Sequence, residues 1–127
     1  MNSVIIEFGS NIEPEKNIMN AKKLISADFN LIKESSLLKT KPVGVKEKQN
    51  DYINCAVMIE TEMNCSEMKS YLDGLETRLG RKKDADKFAP RTIDLDIVVW
   101  NGKVIHKDFD EREYVRINVG EIMPGLI

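Results

Sequence analysis

The sequence predicts an α+β domain, on three observations. Apolar runs of strand character stand at residues 3–8, 52–61 and 93–100, and between them lie stretches whose apolar residues recur three or four apart. Turn-forming residues punctuate their ends. A chain of 127 residues with 42% hydrophobic content can bury one ordinary core, so residues 1–127 are read as a single domain. The net charge of -2, from 19 basic and 21 acidic residues, argues against a nucleic-acid or polybasic membrane-surface protein and for a small-molecule partner. No signal peptide or membrane-length apolar run is read in the sequence, so a cytoplasmic location is expected. Cys55 and Cys65 lack metal-site spacing and read as reduced, structural residues.

The first strand, residues 3–8, runs into the turn Gly9-Ser10-Asn11. Pro14 suits a first helical turn, and Ile18, Ala21, Leu24 and Ile25 continue a helix to about Ser26. Residues 31–39 suggest a second strand with an irregularity near Ser35 and Ser36. A polar loop over residues 41–51 precedes the third strand, 52–61, in which Asn54 is an odd polar residue needing a partner. Ser66 can cap a second helix carrying Met68, Leu72, Leu75 and Leu79, with Gly80 at its end. Pro90 suits the entrance to the fourth strand, and Asn101-Gly102 predicts a hairpin returning through residues 103–105. The order βαββαβ is ferredoxin-like: an antiparallel sheet with both helices on one face, here followed by a short hairpin strand and a charged, weakly apolar tail.

The fourth strand carries the chemistry. Asp94 and Asp96 alternate with Leu95, so both carboxylates share one face at a separation of roughly 6 to 7 Å. Like charges placed there need a cation, and a hard cation such as Mg²⁺ takes carboxylate oxygens together with substrate phosphates. Upstream, residues 80–91 form a loop with Arg81, Lys82, Lys83, Lys87 and Arg91, able to neutralise phosphate charge during phosphoryl-type transfer. Tyr52 and Asn54 offer an aromatic face beside a donor and acceptor, suited to a flat heterocycle. Taken singly, each has an ordinary reading: a salt-bridged acidic pair, a solvated basic loop, a core tyrosine, and for His106 a surface residue in a turn. Their convergence in so short a chain favours function.

Phe88-Ala89-Pro90-Arg91-Thr92-Ile93-Asp94-Leu95-Asp96-Ile97 closely resembles the signature of the 6-hydroxymethyl-7,8-dihydropterin pyrophosphokinases of folate biosynthesis, with Phe88 where many members carry Trp. Gly9-Ser10-Asn11, Thr40-Lys41-Pro42-Val43-Gly44, Asp51-Tyr52-Ile53-Asn54 and Glu76 with Gly80-Arg81 resemble further blocks of that family, in order. The resemblance implies transfer of pyrophosphate from ATP to the pterin hydroxymethyl group, releasing AMP. By position, Asp94 and Asp96 would bind two Mg²⁺ ions, and Arg81 and Arg91 would be catalytic, stabilising phosphate charge. Glu76, Arg81, Arg91 and Lys83, the last where the family often has Arg, would serve the nucleotide. Thr40, Val43 and Asn54 would read the pterin edge, with Tyr52 and Tyr114, the latter in place of a family Phe, on the two pterin faces. Loops at residues 43–50 and 82–89 would close over the substrates.

Two departures stand out. The family's Pro-His pair that contacts ATP is missing before Arg112-Glu113-Tyr114, His106 lying too early to replace it. The usual C-terminal extension after Glu121-Ile122-Met123-Pro124 is not expected either. They motivate an alternative, a non-catalytic pterin- or nucleotide-binding relative. An RNA-binding reading is opposed by the isoelectric point of about 5.5 and the lack of paired exposed aromatics.

Overall fold

The computed structural model describes residues 1–42, 49–81 and 92–126. Its elements are β1 (Asn2–Ser10), α1 (Pro14–Asp28), β2 (Asn30–Glu34), β3 (Leu38–Thr40), β4 (Tyr52–Thr61), α2 (Cys65–Arg78), β5 (Asp94–Trp100), β6 (Lys103–Val104), α3 (Asp108–Glu111) and α4 (Glu113–Ile122). The strands form one antiparallel sheet in the order β2-β4-β1-β5-β6, with β3 also paired to β4.

Strand alternation sorts the apolar residues onto two faces. Val4, Ile6 and Phe8 of β1, Ile53, Cys55, Val57 and Ile59 of β4, and Leu95 and Ile97 of β5 form one cluster. Onto it pack Ile18, Ala21 and Ile25 of α1 and Met68, Leu72 and Leu75 of α2, so the two helices expected from periodicity share a face. The opposite face carries Ile5, Ala56 and Val98, which Val115, Val119 and Ile122 of α4 cover. The expected tail is therefore two helices, α3 and α4, and the sheet is packed on both sides. Val115, Val119 and Ile122 recur at i, i+4 and i+7, which is what lets α4 bury one stripe.

Other boundaries differ for local reasons. The expected second strand is divided into β2 and β3 because Ser35 inserts between them: its hydroxyl accepts from the Ala56 N–H at 2.8 Å and its own N–H donates to the Ala56 carbonyl at 2.9 Å. Asn64 rather than Ser66 caps α2, since Glu67 stands three residues on and completes a reciprocal capping box. Asn101 and Gly102 both have positive φ, 49° and 80°, as a two-residue hairpin of this hand requires. A shift of register between Ile5 and Ile6 against β5 places both Val98 and Val99 in the cluster beneath α4.

Candidate functional site

The face under α4 is only partly covered. Beyond the apolar cluster, toward the end of β1 and the start of β5, lies an open cleft of about 320 Å³. Glu7 and Gly9 of β1, Tyr52 and Asn54 of β4, and Asp94 and Asp96 of β5 all line it, the two-residue spacing in each strand keeping them on one side of the sheet. Thr40 of β3 and Tyr114 of α4 complete its walls.

On one side the cleft sets the aromatic rings of Tyr52 and Tyr114 beside the amide of Asn54 and the hydroxyl of Thr40. Asn54, 3% exposed, donates from Nδ2 to Thr40 Oγ1 at 2.6 Å, which supplies the partner that a polar residue in this strand requires. Gly9 is a close-approach position: a Cβ there would stand 3.0 Å from Asn54 Oδ1. Gly9→Ala is accordingly expected to displace the Asn54 amide and weaken ligand binding in this half about tenfold, roughly 1.4 kcal/mol. Titration of the ligand against wild type and variant checks this, with thermal unfolding as the control for folding.

The other side is acidic. Asp94 and Asp96 project into the cleft together, and each carboxyl is raised above the ordinary aspartate range. For Asp94 the cause is burial, opposed by Arg81; for Asp96 burial, followed by repulsion from Asp94, pushes the group up to about 6. Glu7, buried in the same floor, is raised well above its ordinary value, again by burial. Arg81 Nη1 donates to Asp94 Oδ1 at 2.6 Å and stands 2.8 Å from Glu76 Oε2. Glu76 in turn accepts the Leu95 N–H at 2.7 Å, fastening α2 to the strand that bears both aspartates.

Burial outweighs these partners and pushes Glu76 up to about 7 from an ordinary 4.5. Between those values the unfolded chain releases this proton while the folded chain keeps it. Folding stability should therefore fall as pH rises from about 4.5 to about 7, by on the order of 2 kcal/mol after allowing for partial solvation. Denaturant unfolding in chelator across that window checks the sign, and Glu76→Gln should lessen the slope.

His106 lies beside the aspartates. Its Nδ1 accepts the Asp108 N–H at 3.0 Å, so in the neutral ring the proton sits at Nε2, which faces Asp96 Oδ1 at 3.9 Å. One ligand atom each from Asp96, His106 and Asp108 lie within 4.8 Å of one another. Carboxylate oxygens held this close beside an imidazole nitrogen suit a divalent cation, which relieves the repulsion between them.

The family model described as 7,8-dihydro-6-hydroxymethylpterin-pyrophosphokinase matches residues 5–124. The chain belongs to this pyrophosphokinase family. Three relatives named 2-amino-4-hydroxy-6-hydroxymethyldihydropteridine pyrophosphokinase are similar along most of their length. One from Haemophilus influenzae is 32% identical, covering 100% of this chain and 85% of the relative. One from Bacillus subtilis is 34% identical, covering 95% and 78%, and one from Campylobacter jejuni 33%, covering 93% and 81%. The expected resemblance to the pyrophosphokinase family is thus borne out over the whole chain.

Among the residues singled out from sequence, the structure brings Thr40, Tyr52, Asn54, Asp94, Asp96 and Tyr114 to the one cleft. Arg81 adjoins it through Asp94, whereas Glu76 is buried behind Arg81 and β5. Val43, Lys83 and Arg91, with most of both loops, lie outside the described residues. Sequence reasoning missed Glu7, His106 and Asp108. His106 is not a turn residue at the surface but a cleft residue beside Asp96, so the site does hold a histidine although the Pro-His pair is missing. The hairpin at Asn101-Gly102 returns the chain along β5, which is the signal that could have placed it. Among the described residues no helix is long and apolar enough to cross a membrane.

Proposed function

We propose that this cleft is where the chain transfers pyrophosphate from ATP to the hydroxymethyl group of 6-hydroxymethyl-7,8-dihydropterin, releasing AMP, as a pyrophosphokinase of folate biosynthesis. The observation that carries the reading is one cleft uniting the Asp94–Asp96 pair with the Tyr52, Asn54, Thr40 and Tyr114 group, in a chain of this family. The whole of residues 1–127 is read as one such domain, working in the cytoplasm. The strand order, with β2 and β3 taken as one strand, supports the ferredoxin-like topology for its sheet.

In this reading Tyr52 and Tyr114 flank the pterin, and Asn54, its amide N–H engaged by Thr40, turns its carbonyl oxygen to donors on the pterin edge. Burial keeps both tyrosines protonated, each hydroxyl being pushed up to about 12. Asp94 and Asp96 would hold two Mg²⁺ ions together with the ATP phosphates, and the chemistry such ions would supply there is neutralisation of phosphate charge. Arg81 keeps Asp94 in place and offers guanidinium charge to the phosphates, assisted by Lys41, Lys107 and Arg112 of the cleft wall and by Lys83 and Arg91. Glu76 serves the nucleotide through Arg81. His106 Nε2–H faces Asp96 Oδ1 at 3.9 Å and, in this reading, takes the part expected of the missing histidine. Nothing among the described residues favours a non-catalytic relative.

Calorimetric titration of the dihydropterin, with Mg²⁺ and a non-hydrolysable ATP analogue present, should give one saturable site that Asn54→Ala weakens at least tenfold. Absence of dihydropterin binding by the wild-type chain would refute the reading.

A further inference from the structure

Glu7 and Asn118 meet in the core between the sheet and α4. Asn118, 0% exposed, donates from Nδ2 to Glu7 Oε2 at 2.7 Å, across 111 residues of sequence. Glu7 is 6% exposed, and both Glu7 Oε1 and Asn118 Oδ1 are buried with no hydrogen-bond partner among the described residues. As a means of holding the fold together this pair is poor. Two apolar side chains of similar size would fill the same space without leaving buried oxygens unsatisfied.

Its geometry suggests another use. The apolar stripe of α4, Val115, Val119 and Ile122, fixes how deeply the helix sits on the sheet, but burial is non-directional and constrains sliding and rotation weakly. The start of α4 has no side-chain cap, so its first turn depends on tertiary contacts. A hydrogen bond is directional, and Asn118 makes one to a strand residue that itself lines the cleft. Tyr114 is one helical turn before Asn118 on the same face, and it also lines the cleft.

We propose that Glu7 and Asn118 are positioning residues for the pterin half of the site: the buried bond between them sets where α4 stands on β1, and through α4 it sets where Tyr114 faces the cleft. This rests on the reading of the cleft as a pterin site. It distinguishes Asn118 from Val119 and Ile122, which pack in the apolar cluster away from the cleft and whose loss would lower stability without moving one wall of the site in particular.

The test is a double-mutant cycle read as ligand affinity, with 6-hydroxymethyl-7,8-dihydropterin and Mg²⁺ with α,β-methylene-ATP as separate probes. Asn118→Ala should weaken dihydropterin binding about tenfold while the nucleotide analogue stays within about twofold. In a Tyr114→Ala background the same substitution should cost less than twofold more. Glu7→Gln should hold dihydropterin affinity within about threefold of wild type, because its carbonyl can accept from Asn118 Nδ2 and its amide can donate to Asn118 Oδ1. Should Asn118→Ala not fold, Asn118→Ser, too short to reach Glu7, takes its place and Glu7→Gln still reads the pair. Equal weakening of both ligands, additivity with Tyr114→Ala, or a Glu7→Gln loss as large as that of Asn118→Ala would overturn the inference alone. Failure of the wild-type chain to bind dihydropterin would overturn the functional reading as well.

Discussion

Asp96→Asn is expected to lower pyrophosphoryl transfer by about a thousandfold or more while leaving the protein folded and at least as stable as wild type above neutral pH. The loss follows from removing a carboxylate from the floor of the cleft, where it faces Asp94 and His106. The gain follows from the same surroundings. Burial and the neighbouring Asp94 both oppose ionisation of Asp96, so an amide of equal size relieves a cost that the folded chain carries at pH 8. Paired assays of AMP formation and thermal unfolding at pH 8 check both halves. A variant that loses activity and several degrees of Tm together would show that Asp96 serves the fold rather than the reaction.

Glu76→Ala should be the more destructive change. Glu76 joins α2 to β5 by accepting the Leu95 N–H at 2.7 Å and meeting Arg81 at 2.8 Å. Truncation leaves a buried N–H without its acceptor and, among the described residues, leaves Arg81 with Asp94 alone, at a cost of about 2–4 kcal/mol. For a domain of this size that is a Tm lower by roughly 5–15 °C. Activity at a temperature where the variant is folded should fall as well, since Arg81 and the start of β5 lose their shared anchor. Glu76→Gln keeps an acceptor for Leu95 and should recover most of the stability. Similar Tm values for the alanine variant and wild type would contradict the buttressing role.

What was legible in the sequence, and what was not, divides along physical lines. Local chemistry reads out directly: Pro14 opens α1, Asn101-Gly102 forms the hairpin turn, and alternation around Leu95 puts Asp94 and Asp96 on one face. Asn54 announced its need for a partner, and Thr40 supplies it. The break between β2 and β3 was signalled by Ser35 and Ser36, but only the pairing with Ala56 shows why the strand divides. The helix α4 was missed because β-branched residues and Gly120 dilute its helical propensity, although its apolar spacing was present. With α4 missed, the second covered face was hidden, and with it Glu7 and Asn118, whose meeting depends on tertiary packing alone. His106 was misplaced for a related reason: a short hairpin, rather than any local pattern, returns it to Asp96.

The central claim, that the cleft over Asp94 and Asp96 transfers pyrophosphate rather than a single phosphate or none, is tested most directly by phosphorus NMR of the products. The wild-type chain is incubated with Mg²⁺, ATP and 6-hydroxymethyl-7,8-dihydropterin. The account predicts AMP and a pterin diphosphate in equal amounts, dependent on the pterin. ADP with a pterin monophosphate, or unchanged ATP after prolonged incubation with saturating substrates, would contradict it.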